Sequence, residues 1–181
     1  FNTANNHSGD FGQEGVMATI RHLKERELIF AGSGENLREA ARAVYLDTKE
    51  ARVALIGITS SFDPAAAAGG PSIDMMGRPG LNPLRFKTIH HVNEKHFEMA
   101  KELAEVSEVN NLRTLKTQAG YLPPLPNDIF PFGKLTFKLS DGEERNETVP
   151  HPADVERTIR EIKEAKRQAD IVLVSVHAHE F

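Results

Sequence analysis

Asp170-Ile171-Val172-Leu173-Val174-Ser175-Val176-His177, entered from the helical stretch 152–169, decides the architecture of this chain. In 152–169 the residues Val155, Ile159, Ile162 and Ala165 recur at helical spacing and predict a buried stripe. Glu156 stands one turn ahead of Arg160 as a pairing partner, and Pro152 suits the first turn. The run that follows is apolar without alternation, which predicts a fully buried strand delivering His177 to the rim of a sheet. A second such run lies at 52–58, where Val53-Ala54-Leu55-Ile56-Gly57-Ile58 is apolar on both faces, as a central strand should be.

Outward from these two strands the pattern alternates. Residues 1–6 read as the end of a strand running into a loop. Val16, Ile20 and Leu23 predict a helix over 12–26. Leu28-Ile29-Phe30-Ala31 reads as a short buried strand, Gly32-Ser33-Gly34 as a turn, 36–43 as an Ala-rich helix and 44–46 as another strand. The glycine pair is not a nucleotide fingerprint, because the remaining glycine of that pattern is absent. Residues 59–92 form a long Gly/Pro-rich loop insertion without clear periodicity. Phe97, Ala100, Leu103 and Ala104 predict a helix over 92–106, with His90, His91 and His96 as helix-start or surface histidines that lack zinc-motif spacing. Pro123-Pro124-Leu125-Pro126 marks an extended linker. Strands at 134–139 and 144–149 are expected to pair as a hairpin through Asp141-Gly142. Alternating strands and helices with one late hairpin imply an α/β fold around a parallel or mixed sheet.

Composition narrows the function classes. The 181 residues suit one domain, with 39% hydrophobic and 27% charged residues. A net charge of -4 and a pI near 6.1 argue against nucleic acid as a partner. There is no run of about 18 apolar residues to span a membrane. The chain has no cysteine, so disulfides and thiolate metal sites are excluded. It opens on Phe1 without a Met and stops four residues after a strand read as central, so truncation at both ends is expected.

The chemistry-bearing residues gather at two strand ends, Asn5-Asn6-His7-Ser8-Gly9-Asp10 and His177-Ala178-His179-Glu180. In an open α/β sheet, ligands collect at such ends. An amide oxygen and imidazoles meeting at one rim are able to ligate a divalent metal; the plainer alternative is a turn followed by a helix cap. Asp10 reads either as that cap or as part of an anion site at the helix start. In Gly77-Arg78-Pro79-Gly80-Leu81-Asn82-Pro83-Leu84-Arg85, the residues Arg78, Asn82 and Arg85 are candidates for gripping a carboxylate or phosphate, the alternative being a solvated surface loop.

These motifs, taken together, resemble the CapA (PgsA) family of poly-γ-glutamate capsule synthesis proteins, which share the calcineurin-like metallophosphoesterase fold. The likeness rests on Thr3-Ala4-Asn5-Asn6-His7, Asp10-Phe11-Gly12, and Gly32-Ser33-Gly34-Glu35-Asn36-Leu37 with Ala40. It continues through Val53-Ala54-Leu55-Ile56-Gly57 with Thr59-Ser60, the loop 77–85, and Ala169 to His177. It implies a four-layer α/β/β/α metallophosphoesterase-like sandwich, of which this chain is a partial, single-domain piece. By the same likeness Asn6 and His177 become metal ligands and His7 the group facing the leaving group, with Asn5 where the family usually has Gly. Glu180 matches an acidic residue the family shows shortly after the strand-end His, whereas His179 is less expected. The first-strand Gly-Asp motif and the final Gly-His-x-His motif have no counterpart, so the two-metal site is incomplete in this chain.

The implied activity is metal-dependent hydrolysis or transfer, with manganese, iron, zinc or magnesium as cofactor and an anionic polymer or its precursor as substrate. The alternative is a non-catalytic accessory subunit of a membrane-bound polymer synthase. A nucleotidase of the same fold would want an aromatic pair for base stacking, and the chain offers only Tyr45 and Tyr121 and no Trp. Family members work outside the cytoplasmic membrane behind an anchor, which sets the expected location; a cytoplasmic one stays open.

Overall fold

The computed structural model describes residues 1–179, and the chain divides into two compact units: Phe1–Arg85 with the segment from Pro150 onward, and Phe86–Val149. In chain order the elements begin with α1 (Gly12–Glu25), β1 (Ser33–Gly34), α2 (Leu37–Ala41), β2 (Val44–Asp47), β3 (Arg52–Thr59) and β4 (Gly80–Leu81). There follow β5 (Phe86–Val92), α3 (Glu94–Ser107), α4 (Asn111–Gln118), β6 (Ile129–Phe132), β7 (Leu135–Leu139), β8 (Arg145–Pro150), α5 (Pro152–Gln168) and β9 (Ile171–His177). The architecture is mixed α/β, consistent with an α/β sandwich.

In the first unit β3 lies between β2, antiparallel to it, and β9, parallel to it. The β3–β9 register runs from Val53 opposite Ile171 to Thr59 opposite His177. Its lower end is clamped where the Arg52 N–H donates to Asp170 Oδ2 at 2.8 Å and the Asp170 N–H to the Arg52 carbonyl at 2.9 Å. Alternation along β3 buries Ala54, Ile56 and Ile58 together with Ala43 and Ala165 of α5, and Tyr45, Leu84, Ile162 and Val172 pack against them. Gly57 belongs to the opposite alternation. A Cβ there would lie 2.4 Å from Asn2 Oδ1, so only glycine admits the N-terminal segment. Asn2 Nδ2 in turn donates to Ser175 Oγ at 3.0 Å, tying that segment to β9.

The burial of these elements departs from the sequence reading. Among the described residues β9 pairs on one side only, and Ile171, Leu173, Val174 and Val176 are exposed rather than buried. An unbroken apolar run signals side chains suited to cover; it does not place the strand at the centre of a sheet. On α5 the buried residues are Asp154, Arg157 and Ala165, while Ile159 is exposed. Arg160 approaches Glu161, at 4.0 Å, rather than Glu156. Residues 28–31 do not form a buried strand: Leu28 and Ile29 are exposed, and only Ala31 bridges, to Asn2. The stretch 59–92 carries β4, which pairs with β1, a 3-10 turn at Pro64–Ala66, and all of β5. Two-residue strands among prolines leave no period to read.

In the second unit the sheet order is β6-β7-β5-β8. β6 and β7 form the hairpin, turning at Gly133 (φ 58) between Phe132 and its partner Leu135. The expected hairpin through Asp141-Gly142 is absent, because β5 lies between β7 and β8. Side chains bind β8 to β5 and to the start of α3. His91, buried, meets Glu147 at 2.6 Å, His90 meets Asn146 at 2.7 Å, and His96 meets Glu144 at 2.6 Å. The His91 hydrogen bond holds Glu147 below the usual carboxylate range, and the Asn93 N–H with His96 does the same for Glu144. α3 buries Phe97, edge-on to Phe130, and Ala104. α4 was not legible from periodicity.

One polar cluster in the first unit fixes the 77–85 loop. Asp154 is fully buried and accepts from Arg85 Nε (2.8 Å), Arg85 Nη2 (2.7 Å), the Arg85 backbone N–H (2.9 Å) and Arg157 Nη1 (2.7 Å). Arg157 also donates to Asn82 Oδ1 and to the Pro83 carbonyl. Asn82 Nδ2 donates to the Gly57 carbonyl at 2.9 Å, inside the sheet. Burial works against the Asp154 charge, but the two guanidiniums and the backbone N–H outweigh it and hold the carboxyl well below its usual range.

Asp154→Ala leaves buried Arg157 without its counter-charge, and urea unfolding of the full-length protein should show a loss of about 3–5 kcal/mol. Because the folded-state pKa is depressed, this contribution is present above the ordinary carboxylate value of about 3.9 and fades as pH falls below it. The gap between wild type and variant should therefore narrow on acidification.

Candidate functional site

The loop before α1 is built by its own short side chains. Asn5 Oδ1 accepts from the backbone N–H groups of His7 (2.9 Å) and Ser8 (3.0 Å), closing an Asx turn. Ser8 Oγ donates to the Thr3 carbonyl at 2.6 Å. Gly9 lies against the 3-10 turn, where a Cβ would come within 2.4 Å of Ala66 Cβ. Asp10 does not cap the helix: α1 begins after Phe11 without a side-chain cap, and the Asp10 carboxylate meets His7 Nδ1 at 3.0 Å. His7 is 78% exposed at its side chain. Engaged through Nδ1, its ring leaves Nε2 free to face solvent.

The same loop brings Asn6 to the end of β9. His177 Nε2 and Asn6 Oδ1 lie 3.0 Å apart, joining residues 171 positions apart. The backbone of His177 is seated on the end of β3: its carbonyl accepts from the Ser60 N–H at 2.9 Å and from Thr59 Oγ1 at 3.3 Å. His179 follows, its N–H donating to Ser61 Oγ at 2.8 Å and its ring edge-on to His177 with centroids 4.7 Å apart. Thr59 and His177 are the carboxyl ends of two parallel strands, the position where α/β sheets take ligands. Ser60 Oγ, on the residue after Thr59, is buried without a hydrogen-bond partner among the described residues.

Structure thus brings together Asn6, His177 and His179, and pairs His7 with Asp10. Glu180 lies outside the described residues. Arg78 directs Nε and Nη2 onto the Ala67 carbonyl (3.2 and 2.8 Å) and is exposed. Arg85 is committed to Asp154, and Asn82 is buried in the sheet. Sequence reasoning gave no positioning role to Asn5, Ser8, Thr59, Ser61 and Asp154, which hold the site or its supporting loop. Only the Asn-x-His/Ser spacing of the Asx turn left a readable trace. As a donor set, an amide oxygen beside an imidazole suits a divalent cation. Among the described residues no three His, Asp or Glu side chains converge as ligands.

The family model described as "Bacterial capsule synthesis protein PGA_cap" matches residues 1–180. Two Sinorhizobium fredii proteins, the uncharacterized proteins y4sH and y4uA, are each 31% identical over 183 residues, covering 98% of this chain and 36% of their own length. The "Capsule biosynthesis protein CapA" of Bacillus anthracis is 37% identical over 82 residues, covering 45% of this chain and 19% of that protein. The chain therefore spans about a third of the length of the first two relatives.

Gly9→Ala forces its new methyl onto Ala66 and should destabilise the protein by about 1–3 kcal/mol. Because the shift moves the 5–10 loop, NMR should show the His177 ring resonances displaced in this variant. An unmoved His177 would mean the loop yields elsewhere.

Proposed function

The chain belongs to the bacterial capsule synthesis protein family, and from that premise we propose that it supplies part of a metal-dependent hydrolase or transferase site acting on an anionic capsule polymer or its precursor. The observation that carries this reading is the meeting of Asn6 Oδ1 and His177 Nε2, 3.0 Å apart, at the carboxyl rim of β3 and β9. Asn6 and His177 would hold one divalent ion, whether manganese, iron, zinc or magnesium, which supplies Lewis-acid polarisation and a more acidic bound water. His7, oriented by Asp10 through Nδ1, presents Nε2 to protonate a leaving group. Of the three loop residues, Arg78 keeps a guanidinium open to an anion, while Arg85 and Asn82 hold the loop in place.

A second reading is a non-catalytic subunit of a membrane-bound polymer synthase, which would keep the fold without the metal. Either role fits the cell envelope, given a relative named as a capsule biosynthesis protein. No helix among the described residues is long and apolar enough to cross a membrane.

Manganese-stimulated hydrolysis of a generic phosphodiester by the full-length protein tests the two. On the catalytic reading, His7→Ala lowers turnover by about 10²–10⁴-fold with metal content unchanged. His177→Ala and Asn6→Ala lose the metal as well. Equal loss of metal and turnover in His7→Ala would move His7 into the ligand set. A full-length protein that binds no metal and hydrolyses nothing would favour the accessory role.

A further inference from the structure

His179 takes no part in the chemistry proposed above, yet its backbone is anchored by the same three residues that anchor His177. Thr59, fully buried at the end of β3, donates through Oγ1 to the Ser61 carbonyl at 2.8 Å and to the His177 carbonyl at 3.3 Å. The Ser60 N–H donates to that same His177 carbonyl at 2.9 Å. Ser61 Oγ then accepts the His179 N–H at 2.8 Å. Residues two apart along an extended chain project to one side. Here the two imidazoles meet edge-on, with centroids 4.7 Å apart and ring planes at 64°. Aromatic rings favour that arrangement because the positive edge of one lies against the negative face of the other.

His177 is useful only while its ring is fixed. Rotation about its side-chain bonds swings Nε2 away from Asn6 Oδ1, 3.0 Å distant. An imidazole that ligates a metal is ordinarily fixed by donating from its other ring nitrogen to a carboxylate or a carbonyl. Among the described residues His177 Nδ1 has no such partner, and the ring nitrogens of His179 make no hydrogen bond. The contact between the two rings supplies the constraint instead. We propose that His179 is a positioning residue of the site. It acts through His177, packing edge-on so that Nε2 stays toward Asn6, and Ser61 holds His179 where it packs. The ring of residue 179 matters for this role and its nitrogens do not. A third ligand or a second proton carrier at 179 needs those nitrogens. Phenylalanine separates the two roles, because it keeps a packing ring and removes both nitrogens.

Two measurements on the full-length protein test this, and His179 is exposed, so its substitution leaves the fold intact. In the metal-free protein, nuclear Overhauser contacts from the His177 ring protons beside Nε2 to the Asn6 side-chain amide should be present. They should be lost in His179→Ala and kept in His179→Phe. Calorimetric titration with manganese, which rests on the reading of Asn6 and His177 as ligands, should show affinity weakened about tenfold or more in His179→Ala. His179→Phe should keep the wild-type affinity, and Ser61→Ala should weaken it in the same direction as His179→Ala. His179→Phe behaving like His179→Ala in either measurement overturns the proposal, since the nitrogens are then what count. Ring contacts and affinity indifferent to His179→Ala overturn it as well. A wild type that takes up no manganese removes the ligand reading of Asn6 and His177, and the ring contacts then decide the role of His179 by themselves.

Discussion

The parallel pairing of β3 with β9 joins residues 118 positions apart, and the rest of the first unit is arranged to make that pairing possible. A parallel partner cannot be reached by a tight turn, so the chain must travel out and return through a crossover, here α5. The lower end is secured by Asp170 against the Arg52 backbone, and the upper end by the His177 carbonyl on Ser60 and Thr59. Between them, small and branched residues on one face of β3 accept α5, while Gly57 on the other lets the N-terminal segment lie close. Without that close approach Asn2 would not reach Ser175, and Asn6 would have no reason to meet His177.

A buried charge cluster takes a place where apolar packing would be the simpler solution. Asp154 draws two arginines and a backbone N–H, and Arg157 extends the cluster to Asn82 and the Pro83 carbonyl. Replacing such a cluster by apolar side chains is often neutral for stability, so its value is geometric. It pins a proline-rich loop that has almost no regular structure of its own to the end of β3, through Asn82 on Gly57 and Leu84 on Thr59. Thr59 is also a seat of His177, so the cluster and the candidate site share one strand end.

The site follows from this arrangement more than from its own residues. Asn6 and His177 are ordinary side chains, one on a turn made by Asn5 and one at a strand end. Their chemistry comes from being held together at a rim where two parallel strands finish. His7 differs in being exposed and tethered to Asp10, which suits a proton carrier better than a buried ligand. In the second unit, imidazole–carboxylate pairs bind β8 and the residue before it to β5 and α3, and among the described residues the outer helices expose Met99, Leu103, Leu112 and Leu115.

Local pattern was enough for much of this. The sequence by itself determined the α/β class, α1 and α5, the apolar strands β3 and β9, and the two clusters that supply the candidate site, although the first, expected at a strand end, sits on a loop after an isolated bridge at Asn2. It also carried the family likeness that the comparison then showed. Tertiary structure alone decided which apolar runs were covered, so among the described residues β9 pairs on one side only and Ile159 is exposed. It decided too that Arg85 belongs to Asp154, that β5 separates β7 from β8, and that Asp10 turns to His7 rather than to its helix. Each of these depends on partners far apart in the chain or on competition between two nearby acceptors, and a local pattern contains neither distance nor the outcome of that competition.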